Sequence, residues 1–422
     1  MKAVAQGRWN KVKALVYLLT HSYSGRALAI LRAVSNSGAK TPGVDGVLWN
    51  TPEAKSAAFG TLRRQGYQPQ PLRRVYIPKS NGKRRGLGIP TMRDRAMQAL
   101  YLLGLDPIAE SRADGHSYGF RLERRCADAL NQVHRLVSHR HGPQWILEGD
   151  IKACFDRISH SWLLTHVPMD TRVLRQWLEA GFLEKHAWFA TTEETHQGGI
   201  ISQFAANLFM HYAFDLWMVR TYPAIQFERY ADDVIIHAKS LAQAELVLEA
   251  VRRRLKECCL ELHPEKTKIV YCQDDDRKGQ HEHIKFDFLS YTFRPRRAKN
   301  RRGKFFVSFL PAISDKAAKA IRETIRDWRL AATRNNQSLE EIAGLVNPSV
   351  RGWVNYYGRF YRSALTPVLR HLERALVKWA QRKYKRLRRH STNAGHWLGK
   401  VARRDPNLLV LWQIGIRPST GS

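Results

Sequence analysis

Residues 227–231 and 234–238 form two short, mostly apolar runs that close on the pair Asp232-Asp233, an arrangement common at solvated turns that gains meaning from the acids around it. Runs of this length rich in β-branched and aromatic residues read as strands, so the acidic pair reads as the tip of a hairpin. Neighbouring carboxylates there repel one another, and cations must relieve the repulsion. A third acid, Asp150, closes another apolar run, Trp145-Ile146-Leu147-Glu148-Gly149-Asp150-Ile151, which reads as a buried strand. Three aspartates on adjacent strand ends suit hard divalent ions, which prefer carboxylate oxygens.

That donor set matches the needs of nucleotidyl transfer. An oxygen nucleophile must attack a phosphorus already ringed by negative oxygens, and two divalent ions about 4 Å apart neutralise and align the reactants. Charge points the same way. Lys and Arg number 70 against 37 Asp and Glu, a formal net charge of +33 that implies a polyanionic partner. No apolar run approaches the roughly 18 residues of a membrane span, so a membrane partner is not expected. The five cysteines are odd in number and include no CxxC pair, which argues against a disulfide scaffold or zinc ribbon. His281 and His283, near His263 and Cys272, read as surface histidines rather than a zinc site. The N-terminus lacks the pattern of a secretory peptide, and the expected location is cytosolic.

Residues 9–37 carry helical spacing in two stretches, and Thr41-Pro42-Gly43-Val44-Asp45-Gly46 interrupts it as a loop. Residues 74–78 and 86–90 read as a hairpin around Ser80-Asn81-Gly82 that carries Lys79, Lys83, Arg84 and Arg85. Helices are expected over 94–108 and 203–218, giving an α+β core to about residue 295. The basic stretch 294–302 reads as a hinge or exposed loop. From Asp315 onward the pattern is helical, with breaks expected at Pro348 and Pro367. No Asp or Glu lies between Arg374 and Arg404, whereas from Lys378 to Arg404 ten Lys and Arg are interleaved with Trp379, Tyr384 and Trp397. Positive charge tracks phosphates and flat rings stack on bases, so this region reads as RNA-binding.

In the order in which they occur, several blocks resemble those of reverse transcriptases, especially the proteins encoded by group II introns. They are Gly43-Val44-Asp45-Gly46, Ile77-Pro78-Lys79 with Arg85-Gly86-Leu87-Gly88-Ile89-Pro90-Thr91, and Ser117-Tyr118-Gly119-Phe120-Arg121. Asp150-Ile151-Lys152-Ala153-Cys154-Phe155-Asp156 is similar to the first catalytic block. Gln197-Gly198-Gly199-Ile200-Ile201-Ser202, Tyr230-Ala231-Asp232-Asp233, Glu265-Lys266-Thr267-Lys268 and Phe286-Asp287-Phe288-Leu289-Ser290-Tyr291 resemble the later palm blocks. Arg351-Gly352-Trp353-Val354-Asn355-Tyr356-Tyr357 resembles the thumb, or maturase, signature.

The resemblance implies an α+β right-hand polymerase: fingers and palm over 1–295, a helical thumb or maturase domain over 296–365, and a basic C-terminal tail over 366–422 that binds RNA or DNA. It implies an RNA-directed DNA polymerase that also assists splicing of its intron RNA and retrohoming, in a nucleoid-associated ribonucleoprotein. Two Mg²⁺ ions would sit on Asp150, Asp232, Asp233 and the backbone of Ile151, the three aspartates being catalytic. Lys79, Arg85, Phe155 and Gln197 would hold the incoming nucleotide, Phe155 crowding a 2′-hydroxyl. Arg351, Trp353, Tyr356, Lys383, Lys385, Arg386, Arg388 and Arg389 would contact RNA. The implied partners are group II intron RNA, an RNA template, a DNA primer or target, and dNTPs.

Two departures from the family pattern stand out: His196 precedes Gln197 where relatives carry proline, and Gln203 replaces the proline after Ser202. A non-enzymatic RNA-binding maturase with a decayed polymerase site is one alternative. A domesticated or defence-type reverse transcriptase is another. The residues after Arg404 include no paired cysteines or histidine cluster, so no DNA endonuclease domain is expected. Residues 1–9 read as the continuation of a helix that relatives enter earlier.

Overall fold

The structure, a computed structural model, describes residues 1–78, 82, 84–139, 141–152, 154–184, 187–190, 200–300 and 302–420. The chain packs as two units. One comprises Met1–Ala129 with Leu147–Lys268, the other Leu130–Ile146 with Ile269–Ser422.

In the first unit the helical spacing near the N-terminus becomes helices Trp9–His21 and Tyr23–Val34. Ser22 separates them, its Oγ accepting from the Gly25 nitrogen at 2.9 Å. Helix Met92–Glu110 buries Ala96, Met97, Leu100 and Leu105. The expected basic hairpin is present as β1 (Leu72–Pro78) and β2 (Arg84–Ile89), antiparallel from Arg73 opposite Ile89 to Pro78 opposite Arg84.

The acid-tipped strands form as read from their apolar patterning. β3 (Trp145–Asp150) is largely buried. Strands β4 (Phe182–Glu184) and β5 (Ala187–Phe189) complete the sheet of β1 and β2 in the order β2-β1-β4-β5. β6 (Phe227–Tyr230) pairs antiparallel with β7 (Asp233–Ala238), which lies beside β3 in the order β6-β7-β3. The helix expected over 203–218 is Ile200–Met210, a π-helical turn His211–Asp215, and Leu216–Thr221.

In the second unit, buried Arg277 holds the excursion 130–146. Its guanidinium donates to the carbonyls of Val137 (2.6 Å), Pro143 (3.1 Å) and His139 (3.2 Å). His281 packs its ring against Trp145 and Tyr271 at 4.6 and 4.3 Å. After β8 (Lys268–Tyr271) come β9 (Phe286–Phe288), β10 (Tyr291–Lys299) and β11 (Phe305–Ile313), the last three forming a sheet in the order β11-β10-β9.

The stretch 294–302 is therefore not a hinge up to Lys299; β10 pairs with β11 from Tyr291 opposite Ile313 to Lys299 opposite Phe305. A run of like charge suggests a loop, but here neighbouring rings accommodate the arginines. Arg297 lies 3.9 Å over Phe305 and Arg296 lies 5.4 Å over Tyr361.

Helices Asp315–Asp327, Leu339–Tyr357, Thr366–Lys383 and Ser391–Arg404 share one apolar core that runs from Ile313 to Ile416. Pro348 does not break its helix. Val346 and Val350 are fully buried on either side, and Asn347 ties the helix to the Leu408 carbonyl (2.8 Å) and the Val410 nitrogen (3.0 Å), so packing overrides the lost hydrogen bond. Pro367 stands in the first turn, where a missing N–H costs nothing. Residues 366–420, read from sequence as a tail, contribute Leu369, Leu372, Trp379, Leu398 and Trp412 to this core.

Candidate active site

The three aspartates converge because of backbone pairing. The Ile151 nitrogen donates to the Asp232 carbonyl at 3.1 Å, locking the end of β3 to the hairpin tip, and the His263 nitrogen donates to the Asp150 carbonyl at 2.7 Å. Ala231 turns the chain in the left-handed region at φ +57°, so that Asp232 and Asp233 follow a tight bend. Burial raises the Asp233 carboxyl, and the charges of Asp232 and Asp150 add to it, pushing it up to about 7. Burial also raises Asp232, again with a contribution from Asp150, while Arg85 and Lys266 oppose the shift. The Lys266 ammonium lies 2.8 Å from Asp150 Oδ2. Crowded carboxylates of this kind, one already drawing an ammonium, fit hard divalent cations.

Behind the tip lies a buried ionic network. Arg229 of β6 is fully buried and forks onto Asp215 at 2.6 and 2.5 Å. Its other contacts go to Asn207 Oδ1 and the Ala231 carbonyl, both at 3.0 Å. His211 Nδ1 stands 3.3 Å from Asp114 and 3.8 Å from Asp215. Burial disfavours a charge on His211, but its bonds to Asp114 and Asp215 outweigh that and raise it to about 9. Although Asp114, His211 and Asp215 cluster as metal ligands do, the Arg229 fork and the imidazolium already balance their charge.

The block Ser117-Tyr118-Gly119-Phe120-Arg121 braces the same hairpin. The Arg229 nitrogen donates to the His116 carbonyl and the Tyr118 nitrogen to the Arg229 carbonyl, both at 2.9 Å. Asp114 accepts from the His116 and Ser117 nitrogens at 2.6 and 2.8 Å. Arg121 pairs with Glu110 at 2.6 Å. Sequence reading missed Arg229, Asp215, His211 and Asp114 as a set. The available signals were a cation directly before Tyr230-Ala231-Asp232-Asp233 and an acid within the apolar run Ala213-Phe214-Asp215-Leu216-Trp217.

Of the residues expected to hold nucleotide, Arg85 is exposed on β2 and its charge reaches Asp232. Lys79, Gln197, His196 and the side chain of Phe155 lie outside the described residues. Gln203 is exposed and lines a cavity of about 660 Å³ with Leu87, Ile89 and Phe204.

The residues expected to contact RNA divide into two sets. Arg351, Lys385, Arg386, Arg388 and Arg389 are exposed, the last four around the buried anchor Leu387. Lys383 instead donates to the carbonyls of Gln337 (2.7 Å), Asn336 (3.3 Å) and Asn335 (3.4 Å). Trp353 stacks on Trp328 at 5.6 Å, and the Tyr356 hydroxyl donates to the Leu289 carbonyl at 2.8 Å. These three serve the packing of their own unit.

Residues 77–293 match the family described as reverse transcriptase (RNA-dependent DNA polymerase). Residues 1–62 match the N-terminal domain of reverse transcriptase, and 318–397 match the group II intron, maturase-specific domain. Protein YkfC of Escherichia coli (strain K12) is 33% identical, the match covering 63% of this chain and 81% of that protein. The group II intron-encoded protein LtrA of Lactococcus lactis subsp. cremoris is 28% identical, over 77% of this chain and 67% of that one. Among solved structures, telomerase from Candida albicans in complex with a TWJ fragment of telomeric RNA aligns with a TM-score of 0.43 at 12% identity. That alignment covers 83% of this chain and 64% of the telomerase chain.

Proposed function

Since this chain belongs to the reverse transcriptase family and carries a group II intron maturase-specific domain, we propose that Asp150, Asp232 and Asp233 are the metal-binding centre of its RNA-directed DNA polymerase. Its fold is the mixed α+β right-hand polymerase fold with a helical C-terminal region. Reverse transcriptase domains generally work with divalent metal, typically Mg²⁺. We take the number here as two, with the Ile151 backbone as a further ligand. Bound there, the ions would neutralise the triphosphate and activate the primer hydroxyl.

The chain's own groups prepare this chemistry. Burial and mutual repulsion keep the carboxylates in want of positive charge, and Lys266 holds Asp150 in place. Arg85 brings a guanidinium toward the same tip, which suits it to the triphosphate. Lys79, Phe155 and Gln197 are proposed to complete the nucleotide pocket, Phe155 as the gate against ribonucleotides.

RNA and other nucleic acids are the partners this family implies, and we assign group II intron RNA, an RNA template, a DNA primer or target, and dNTPs as the particular ones. Exposed Arg351, Lys385, Arg386, Arg388 and Arg389 are proposed to grip the intron RNA. Fingers and palm are assigned to 1–295, the thumb to 296–365, and the remaining helices to nucleic-acid binding. Among the described residues no helix is long and apolar enough to cross a membrane. A ribonucleoprotein close to the nucleoid, in the cytoplasm, is the proposed setting.

The observation that carries the reading is the convergence of Asp150 with Asp232 and Asp233 through the Ile151–Asp232 backbone bond. Primer extension on an RNA template, with Mg²⁺ and with chelator, tests it. Metal-dependent extension is expected. Binding of RNA with no extension at all would support a maturase with a decayed polymerase site instead.

A further inference from the structure

We propose that Arg229 is a positioning residue for nucleotidyl transfer, setting the angle at which Asp232 and Asp233 face their cations; this rests on the reading of those aspartates as metal ligands. The Ile151 nitrogen ties the turn through the Asp232 carbonyl at 3.1 Å, and Arg229 fixes the peptide before it. Ala231 sits at φ +57°, a conformation that a non-glycine residue keeps only when its surroundings over-determine it. Arg229 supplies that constraint, since its Nη1 donates to the Ala231 carbonyl at 3.0 Å, one peptide before Asp232.

The guanidinium itself cannot move. Its Nε and Nη2 are forked onto Asp215 at 2.6 and 2.5 Å, and Nη2 also donates to Asn207 at 3.0 Å. Asp215 ends a π-helical turn, His211–Asp215, whose widened spacing belongs to a kind of helical defect common at functional sites. Both charges are fully buried, and removing one partner of such a pair strands the other. Asp114 steadies the far end through His211 and through the Ser117 nitrogen and hydroxyl. The result is a rigid polar strut from helix Ile200–Met210 and its π turn to the carbonyl behind the catalytic tip.

Lysine offers a point charge where arginine offers a planar fork, so Arg229→Lys keeps the pair with Asp215 but cannot also reach Ala231 and Asn207. The full-length chain should be compared with Arg229→Lys, Asn207→Ala and Asp232→Asn. Mn²⁺ binding is measured by the free-ion paramagnetic resonance signal without substrate, and Mg²⁺ half-saturation by primer extension per folded molecule. Loss of an outer support to metal ligands costs about 10–100-fold in affinity or rate, so a drop near tenfold in Mn²⁺ affinity is expected for Arg229→Lys, with a matching rise in Mg²⁺ half-saturation. A merely structural role would lower the folded fraction and leave both values unchanged.

If Arg229→Lys folds and both values stay within about twofold of the parent, the proposal is overturned. Should it fail to fold, Asn207→Ala decides, because it removes a single hydrogen bond from the same guanidinium. A fall of about fivefold in Mn²⁺ affinity supports the strut, and no change overturns it. Asp232→Asn separates this inference from the reading beneath it. Full activity there would sink the metal site itself, whereas an inactive Asp232→Asn beside an unaffected Arg229→Lys would sink only the strut.

Discussion

Gly119 lies so close to the turn at Ala231 that a Cβ built on it would stand 2.5 Å from the Ala231 nitrogen. Real Cβ atoms do not approach backbone so nearly, and neither side can yield cheaply. Ala231 is held at φ +57°, and the strand before it is bonded on both sides of Arg229 to the segment at His116 and Tyr118. The Ser117–Arg121 block thus gives the tip of the β6–β7 hairpin a floor.

Gly119→Ala should therefore push the turn away from the Ser117–Arg121 segment. Overpacking of this kind costs roughly 1–3 kcal/mol, to be read from denaturant unfolding, and primer extension should fall with it. An alanine variant that extends primers at the parental rate would show the turn to be free to shift.

Asp150→Asn and Asp232→Asn should each abolish DNA synthesis on an RNA template. Each change removes a carboxylate proposed to bind metal, at a partly exposed position rather than a core contact, so circular dichroism and RNA affinity should be retained. Parental extension by either variant would refute the assignment of the metal centre.

RNA affinity should depend on Lys385, Arg386, Arg388 and Arg389. Deleting the whole basic region would be uninformative, because Trp379, Leu387, Ala394 and Leu398 inside it belong to the core. Changing the four exposed cations to Gln leaves that core intact. If each meets one phosphate, the slope of log affinity against log salt should flatten by about 3. An unchanged slope would mean that these four face solvent in the complex.

His211 makes a prediction about pH. Its value in the folded chain, about 9, lies above the ordinary 6.5, so the charged form is the one folding favours. Its contribution is fully present below about pH 6.5 and is lost as pH rises through about 9, up to roughly 3 kcal/mol by linkage. Asp114 and Asp215 face the imidazole, with Arg229 behind Asp215 and Tyr212 at its edge. The stability gap between parent and His211→Gln, measured by denaturant, should be wide at about pH 6 and nearly closed at about pH 10. A gap independent of pH would show that the imidazole is neutral throughout.

Periodicity made the strands legible. Val234, Ile235 and Ile236 announce β7, and Trp145, Ile146 and Leu147 announce β3, because apolar runs must be buried whatever the rest of the chain does. It misled where charge met aromatic rings: the arginines of β10 read as loop because Phe305 meets them only once the β10–β11 hairpin forms, and Tyr361 lies far along the chain. Pro348 read as a break for a similar reason, since its neighbours Val346 and Val350 are held by a core no local pattern displays.

By itself the sequence determined the chemistry available to this protein: three aspartates at strand ends, a basic hairpin, and a positive surface for nucleic acid. Those follow from residue type and short-range spacing, which are local properties. The tertiary structure alone decided what holds the aspartates in place. Arg229 finds Asp215 and Asn207 across the fold, Gly119 finds Ala231, and Lys383 finds the carbonyls of 335–337. A buried charge is stable only beside its partner, and that partner is chosen by packing in three dimensions rather than by position along the chain.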